Sequence, residues 1–431
     1  MYRKIMRFLT TWKESKYRKP LILQGARQVG KTYSILEFGR KAYENVAYFN
    51  FETNPKLNEI FEENINPCYL IPILSHVAGQ TIIREKTLIV FDEIQLCERA
   101  LTSLKYFCED APDYHIVVAG SLLGVAVNRA KFSFPVGKVD IKQMYPMDIE
   151  EFMLAMGEND LVEQIKRSFA MDTPLPSALH DIAMQLYRQY LIVGGMPECV
   201  MQFIDTRDYI LIRHTQNTIL ASYLNDMSKY NNLNEIKKTR LAYDNITVQL
   251  SKKNTRFQYK LIKKGGRASE FENAIEWLCL SGIVSQVYKV EQIKKPLENY
   301  RDIDAFKIYV SDLGLLCAKK DLAANDILYM VEDLNDFKGG MAENYVNVQL
   351  SINGYSTYYW ESGRAAEIDF VIQREGKLIP IEVKSADNTR AKSLKVYMET
   401  YKPDYAIKLS LKNFGFEDGK KTVPLYAAFC I

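Results

Sequence analysis

Gly25-Ala26-Arg27-Gln28-Val29-Gly30-Lys31-Thr32, GARQVGKT in one-letter code, follows the apolar run Leu21-Ile22-Leu23 and precedes a segment of helical pattern. An octapeptide of this form between a strand and a helix has the spacing and the context of a phosphate-binding loop. Glycine at 25 and 30 lets the main chain turn tightly and lie against an anion, while backbone N–H groups at the helix start offer partial positive charge. Lys31 is positioned by sequence to reach the β and γ oxygens of a nucleotide and Thr32 to ligate Mg²⁺, with Tyr33 completing the candidate segment. On the pattern alone, a glycine-rich turn without a ligand competes with this reading.

Thr87-Leu88-Ile89-Val90-Phe91-Asp92-Glu93 narrows the choice. A continuous apolar run ending in two acids is expected of a central strand buried on both faces. Asp92 would support Mg²⁺ through water and Glu93 would polarise the water that attacks the γ-phosphate, a division of labour that needs adjacent carboxylates aimed differently. The competing reading is a strand capped by two solvated acids. Together the two motifs predict an ATP or GTP site, with ATP preferred by analogy only.

Working outward, the first 155 residues alternate apolar strand runs, at 20–24, 46–51, 87–91, 115–120 and 138–143, with helical patterns, the signature of a parallel sheet with crossovers. A strand between the loop and the acidic strand points to loop ATPases with a separate catalytic glutamate. Ser121, directly after His115 to Gly120, is expected at the end of the next strand, where it would sense the γ-phosphate, hold the attacking water, or cap the following turn.

Composition bounds the rest. The chain has 431 residues, 47% of them apolar, enough for two or three domains. Lys plus Arg (56) nearly balances Asp plus Glu (53), so a nucleic-acid surface would have to be a local patch. Seven scattered cysteines without a C-x-x-C, beside four histidines, argue against a disulfide framework or zinc site. The amino terminus never reaches a signal-peptide core and no segment approaches a membrane span, so the expectation is a soluble, cytoplasmic protein with no membrane partner.

Residues 145–232 read as mostly helical, through the turn Val193-Gly194-Gly195-Met196-Pro197, as a lid or connector. Short helices and a strand follow, consistent with a small winged-helix unit. Within it, residues 252–267 carry Lys252, Lys253, Arg256, Lys260, Lys263, Lys264 and Arg267 and no acid. Such a one-signed run suits phosphates of DNA, or else forms a solvated face of a structural module.

The last third predicts a helix containing Glu343, a strand at 358–360, a strand with Asp369, and a strand with Glu382-Val383-Lys384. Alternation turns Glu382 and Lys384 to one face, with Ile381 and Val383 buried on the other. If the Asp369 hairpin packs beside it, Glu343, Asp369 and Glu382 become candidate metal ligands and Lys384 a catalytic cation for phosphodiester hydrolysis. The bland alternative is a charged outer face with Glu382 and Lys384 paired in solvent.

At this point the sequence resembles the prokaryotic AAA-type ATP-binding proteins that join an ATPase core to a carboxy-terminal domain of unknown function with a restriction-endonuclease-like hairpin. LILQGARQVGKT, LIVFDEIQ, VVAGSLLG, FPVGKVDIKQMYPMDIEEF, YLIVGGMPECV, IYVSDLGLL, GGMAENYVNVQL, YYWESGRAAEIDFVI and IPIEVKS carry the likeness over nearly the whole chain. The resemblance implies an additional-strand AAA fold, a winged-helix region and a PD-(D/E)xK-like fold, with Lys31, Thr32, Asp92, Glu93, Asp369, Glu382 and Lys384 on motif positions. Many relatives carry Gly-Arg where this chain has Gly137-Lys138, which keeps the charge but loses the planar fork. Arg129 is the candidate arginine finger by position, against a plain surface role.

The expected fold is therefore α/β: an AAA-type P-loop core (1–155), a helical connector (156–232), a winged-helix-like region (233–300) and an endonuclease-like domain (301–431). The leading functional expectation is an ATP-dependent DNA-processing protein using ATP and Mg²⁺, in which a homo-oligomer would be in keeping with AAA cores. Its rival is a nucleotide-dependent switch or scaffold that docks a protein and cuts nothing.

Overall fold

The apolar runs of the first 145 residues become a parallel five-stranded sheet: β1 (Leu21–Gln24), β2 (Asn45–Asn50), β3 (Thr87–Asp92), β4 (His115–Ala119) and β5 (Asp140–Gln143), in spatial order β2-β3-β4-β1-β5. This computed structural model describes residues 1–120, 135–229, 233–250, 256–331, 334–363, 366–385 and 392–431. Every expected strand of this sheet is present, with ends shifted by at most about two residues, the ordinary uncertainty of a boundary. Strand β4, later in the chain, lies between β1 and β3, so one strand separates the phosphate loop from the acidic strand. The helices are α1 (Ile5–Glu14), α2 (Lys31–Ala42), α3 (Leu57–Glu63), α4 (Pro67–Ala78) and α5 (Glu98–Asp110). All six residues of β3 are buried, and Phe91 packs edge-on against Phe51 and Phe61 at ring distances of 5.9 and 5.6 Å. Each such fully buried ring contributes roughly 1.5–3 kcal/mol, which fixes the strand that carries Asp92.

The chain divides into two units, Met1–Tyr145 with Leu280–Gly282, and Pro146–Cys279 with Ile283–Ile431. In the second, five helices follow one another: α6 (Ile149–Ala155), α7 (Asn159–Met171), α8 (Ser177–Val193), α9 (Pro197–Thr206) and α10 (Tyr209–Lys229). Helix α6 opens with a capping box in which Asp148 accepts the Glu151 N–H at 2.8 Å and Glu151 accepts the Asp148 N–H. The glycine pair of YLIVGGMPECV meets IYVSDLGLL: buried Asp312 accepts the N–H groups of Gly195 (2.7 Å) and Leu315 (2.8 Å). A Cβ on Gly195 would stand 1.9 Å from the Met147 carbonyl oxygen, so glycine is required there by close approach.

Helices α11 (Leu233–Leu250), α12 (Tyr259–Ile262) and α13 (Ala268–Leu280) precede the antiparallel hairpin β6 (Val284–Val290) and β7 (Arg301–Val310). Then come α14 (Leu313–Lys319), α15 (Ala324–Leu328), α16 (Asn335–Ile352), β8 (Tyr358–Ser362), β9 (Ala366–Arg374), β10 (Lys377–Val383), α17 (Lys392–Tyr401), β11 (Ala406–Ser410), β12 (Gly415–Glu417) and β13 (Lys420–Pro424). One eight-stranded mixed sheet runs β12-β13-β11-β10-β9-β8-β6-β7. The expected division at 300/301 therefore falls between two paired strands, and the hairpin of the winged-helix-like stretch is the flank of the carboxy-terminal sheet. The described cysteines are all free thiols. Among the described residues no helix is long and apolar enough to cross a membrane.

Candidate functional site

In the first unit, β1 ends at the loop and α2 begins at Lys31. Gly25, Ala26 and Val29 are buried, Arg27, Gly30 and Thr32 half-buried, and Gln28 and Tyr33 exposed. A Cβ on Gly25 would lie 2.2 Å from the Met144 carbonyl oxygen, so only glycine lets the loop pass there. Lys31 is 7% exposed, and its ammonium donates to the carbonyls of Gly25 and Ala26, each at 2.8 Å. The ammonium is thus held against the start of the loop.

The Thr32 hydroxyl donates to Asp92 Oδ2 at 2.9 Å, joining loop and acidic strand as the sequence predicts. Tyr48 on β2 donates to the same oxygen at 2.7 Å, and Asn50 donates to the Tyr48 hydroxyl at 3.1 Å. Asp92, 5% exposed, is thereby fixed by two hydroxyl donors before any ligand arrives. Glu93 takes a left-handed backbone conformation (φ 52°), which strains a residue with a Cβ by about 1–3 kcal/mol. Burial raises its pKa and the charge of Asp92 adds to this, against the lowering effect of the Gln95 amide that donates to it. A raised pKa makes Glu93 a stronger base.

Tyr48 and Arg3 escaped the sequence reading. Arg3 is 7% exposed and donates to Val29 O at 2.9 Å and Tyr145 O at 2.8 Å, tying the segment that leads into α1 to the loop. No motif marks either residue; Tyr48 is visible only once β2 is known to pair with β3, placing Asn50 opposite Asp92. Lys138 is ion-paired with Glu109 at 2.8 Å on the surface. Ser121 and Arg129 lie outside the described residues.

In the second unit, the sequence-predicted carboxylates do converge, with partners that were not foreseen. Helix α16 is pinned to β7 by Asn344, whose side chain accepts the Val310 N–H at 2.7 Å and donates to the Val310 carbonyl at 2.8 Å. Next to it, Glu343 Oε2 receives Tyr309 OH at 2.9 Å and the Lys307 ammonium at 3.2 Å. Lys307, 1% exposed, also pairs with Glu367 at 2.6 Å, and its ammonium lies 5.1 Å from the centre of the Tyr359 ring. On the neighbouring strands, Asp369 accepts the Val383 N–H at 2.7 Å, and Lys384 pairs with Glu382 at 2.8 Å. Burial and the proximity of Glu343 raise the pKa of Asp369, while Lys307 and Lys384 oppose the shift.

The bland alternative, a Glu382–Lys384 pair wholly in solvent, does not hold. Glu382 is 2% exposed and sits within a sheet covered on both sides, so its pair with Lys384 is not a solvent-facing one. Among the described residues, no three His, Cys, Asp or Glu side chains stand together as a metal-holding group. Glu343, Asp369 and Glu382 share an electrostatic neighbourhood around Lys384, and within it Glu343 is engaged by Lys307 and Tyr309. Lys307, Tyr309 and Glu367 were missed. The available signal was a lone lysine inside the apolar run Ala305-Phe306-Lys307-Ile308-Tyr309-Val310, where a charge must find a partner.

Of the basic run, Arg256, Lys260, Lys263, Lys264 and Arg267 are exposed, and Lys263 pairs with Glu270 at 3.1 Å. Lys252 and Lys253 lie outside the described residues. Tyr259, Lys260, Arg256 and Arg267 border a shallow cavity of about 630 Å³ with Asp304 at its edge. Arg256 is a β-bridge partner of Lys307, and Phe257 N–H donates to the Phe306 carbonyl at 2.8 Å. The basic segment is therefore paired, main chain to main chain, with the strand that carries Lys307.

With this geometry in view, comparison with known proteins divides the chain in three. Residues 17–153 match the family described as "AAA domain", and the amino-terminal unit is an AAA-type P-loop ATPase domain. Residues 184–326 and 338–428 match two families described as "Domain of unknown function", DUF8612 and DUF4143. No curated protein matches the chain. Among solved structures, a Walker-type ATPase of Pyrococcus abyssi aligns at 12% identity over 73% of this chain and 94% of its own, with a TM-score of 0.44. The ORC2 protein of Aeropyrum pernix aligns at 10% identity over 76% and 92%, with a TM-score of 0.33. RuvB of Thermotoga maritima aligns at 13% identity over 65% and 87%, with a TM-score of 0.29. Likenesses this distant carry no functional argument.

Proposed function

We propose that the protein hydrolyses ATP at the amino-terminal site and uses its nucleotide state to control how the second unit engages or processes DNA. The observation that carries the first half is the joined set Lys31, Thr32, Asp92 and Glu93. Lys31, already held against the start of the loop, neutralises the β and γ oxygens. Thr32 Oγ1 and Asp92 are hard oxygen donors 2.9 Å apart, a set that fits Mg²⁺, which when bound offsets phosphate charge. Glu93, whose pKa burial raises, orients a water and accepts its proton, and Ser121, two positions beyond β4 in the sequence, is the proposed γ-phosphate sensor. The DNA half rests on the exposed cations Arg256, Lys260, Lys264 and Arg267 beside Tyr259, a pairing of charge and aromatic face suited to a nucleic-acid backbone.

A second reading, a switch whose carboxy-terminal domain docks a protein and cuts nothing, is favoured by one observation: Glu343 is occupied by Lys307 and Tyr309. The deciding experiment measures ATP hydrolysis with and without DNA, beside nicking of supercoiled DNA in Mg²⁺ or Mn²⁺ by the native protein and Lys384→Ala. DNA-stimulated turnover supports the DNA reading, and nicking lost in Lys384→Ala assigns a nuclease. Turnover indifferent to DNA, with no nicking, supports the docking switch.

A further inference from the structure

The carboxylate cluster of the second unit holds its own cation. Lys307 is 1% exposed, yet carries a charge, and its ammonium contacts Glu343 at 3.2 Å and Glu367 at 2.6 Å. A buried ammonium between two carboxylates is tolerable only when both are ionised and fixed. Here Tyr309 fixes Glu343 by donating to the same oxygen at 2.9 Å, and Asn344 fixes the helix that bears it. The remaining acids are treated differently. Among the described residues, Glu382 has one oxygen on Lys384 and the other, Oε2, buried without a hydrogen-bond partner, and Asp369 accepts the Val383 N–H.

We propose that Lys307 is the resident counter-ion of this cluster: it takes the place a divalent ion would take at Glu343 and Glu367, so that Glu343 is no metal ligand and any divalent ion is confined to Asp369 and Glu382. The electrostatics require the exclusion. A divalent ion at Glu343 would share a carboxylate with an ammonium that cannot move to water, because β7 pairs with β6 on one side and bridges Arg256 on the other. The ion would meet like charge at short range in a low-dielectric pocket, where repulsion is largest. Without the ammonium, half-buried Glu343 and exposed Glu367 are left as neighbouring like charges that a cation would offset.

The inference holds whether or not the cluster cuts nucleic acid, and it is independent of ATP hydrolysis. Its test is Mn²⁺ binding by the nucleotide-free full chain, followed by calorimetry and by the electron paramagnetic resonance of free Mn²⁺. Native protein, Glu343→Gln, Asp369→Asn, Lys307→Met, Lys307→Arg and the Lys307→Met/Glu343→Gln double variant are compared. The expected result is a Glu343→Gln affinity within about twofold of native and a gain of at least about tenfold in Lys307→Met. That gain should vanish in the double variant and be absent in Lys307→Arg, while loss of binding in Asp369→Asn assigns it to this cluster. A tenfold loss in Glu343→Gln would overturn the proposal, because Glu343 would then be a ligand despite Lys307. An unchanged or weakened affinity in folded Lys307→Met would overturn it too. If Lys307→Met does not fold, the Glu343→Gln comparison still decides.

Discussion

The phosphate loop and the carboxylate cluster each hold a buried lysine, yet Lys31 is held by neutral backbone carbonyls and Lys307 by two carboxylates. In the first, the Lys31 ammonium donates to loop carbonyls that a phosphate's oxygens can replace. In the second, Lys307 is clamped between two acids and sealed from solvent. A lysine held by neutral carbonyls is ready to change partners, whereas one held by carboxylates is structural until those carboxylates are neutralised. The two sites therefore call for different treatments: the first should respond to ligands, the second to mutation.

The largest expected effect is at the first site. Glu93→Gln keeps shape and hydrogen bonding but cannot accept a proton, so kcat for ATP should fall on the order of 10²- to 10⁴-fold with nucleotide affinity retained. Steady-state turnover beside equilibrium binding of a fluorescent ATP analogue measures both, and native turnover in this variant would remove Glu93 from its role. The contrasting change at the second site is Lys307→Met. It removes the ammonium from half-buried Glu343 and exposed Glu367, and denaturant unfolding should show a loss of about 1.5–3 kcal/mol, while ATP affinity is unmoved. A loss below about 1 kcal/mol would mean that Lys307 is not clamped and would collapse the contrast.

Lys31→Ala should weaken ATP binding by on the order of 100-fold, as expected for a charge-assisted contact of about 3 kcal/mol, with little change in stability because its partners are backbone carbonyls. Replacing Lys260, Lys263 and Lys264 together with Ala should flatten the salt dependence of DNA binding, each lost phosphate contact lowering the slope by roughly 0.9. The pair of Lys263 with Glu270 makes it the smallest contributor of the three. An unchanged slope would return the segment to a purely structural role. The finest effect is on pH. Burial raises the pKa of Glu93, and the base must be unprotonated to act, so turnover is retained above that raised value and lost as pH falls through it. The acid limb of kcat should therefore lie above the ordinary glutamate value of about 4.3. A limb at the ordinary value would indicate a solvated Glu93.

What the sequence disclosed tracks how the chemistry is laid along the chain. The phosphate loop and the acidic strand are contiguous segments in which spacing and context coincide, so Lys31, Thr32, Asp92 and Glu93 were readable, as were all five strands of the first sheet. Asp369, Glu382 and Lys384 were readable as a hairpin, because alternation places them. Lys307 and Glu343 are 36 residues apart on different elements, and only tertiary pairing brings them together. The same reasoning explains Tyr48, which reaches Asp92 across a strand pairing, and Asp312, whose contact with Gly195 spans 117 residues. The burial of Glu382 was not readable, because alternation says which face a residue occupies and not what covers that face, and every residue of β10 from Ile379 to Val383 is buried.

The junction of β6 with β8 has a consequence for how such a chain can be cut and spliced. Tyr288 and Lys289 pair in parallel with Tyr358 and Tyr359, stitching a strand from the 184–326 family match to the sheet of the 338–428 match. A gene fragment beginning at residue 301 would start inside a hairpin, and one ending before β8 would leave β6 with a bare row of peptide groups open to any passing strand. Inheritance, recombination and expression of these two regions must therefore treat them as one cassette, and a soluble product of either alone would require a strand borrowed from elsewhere.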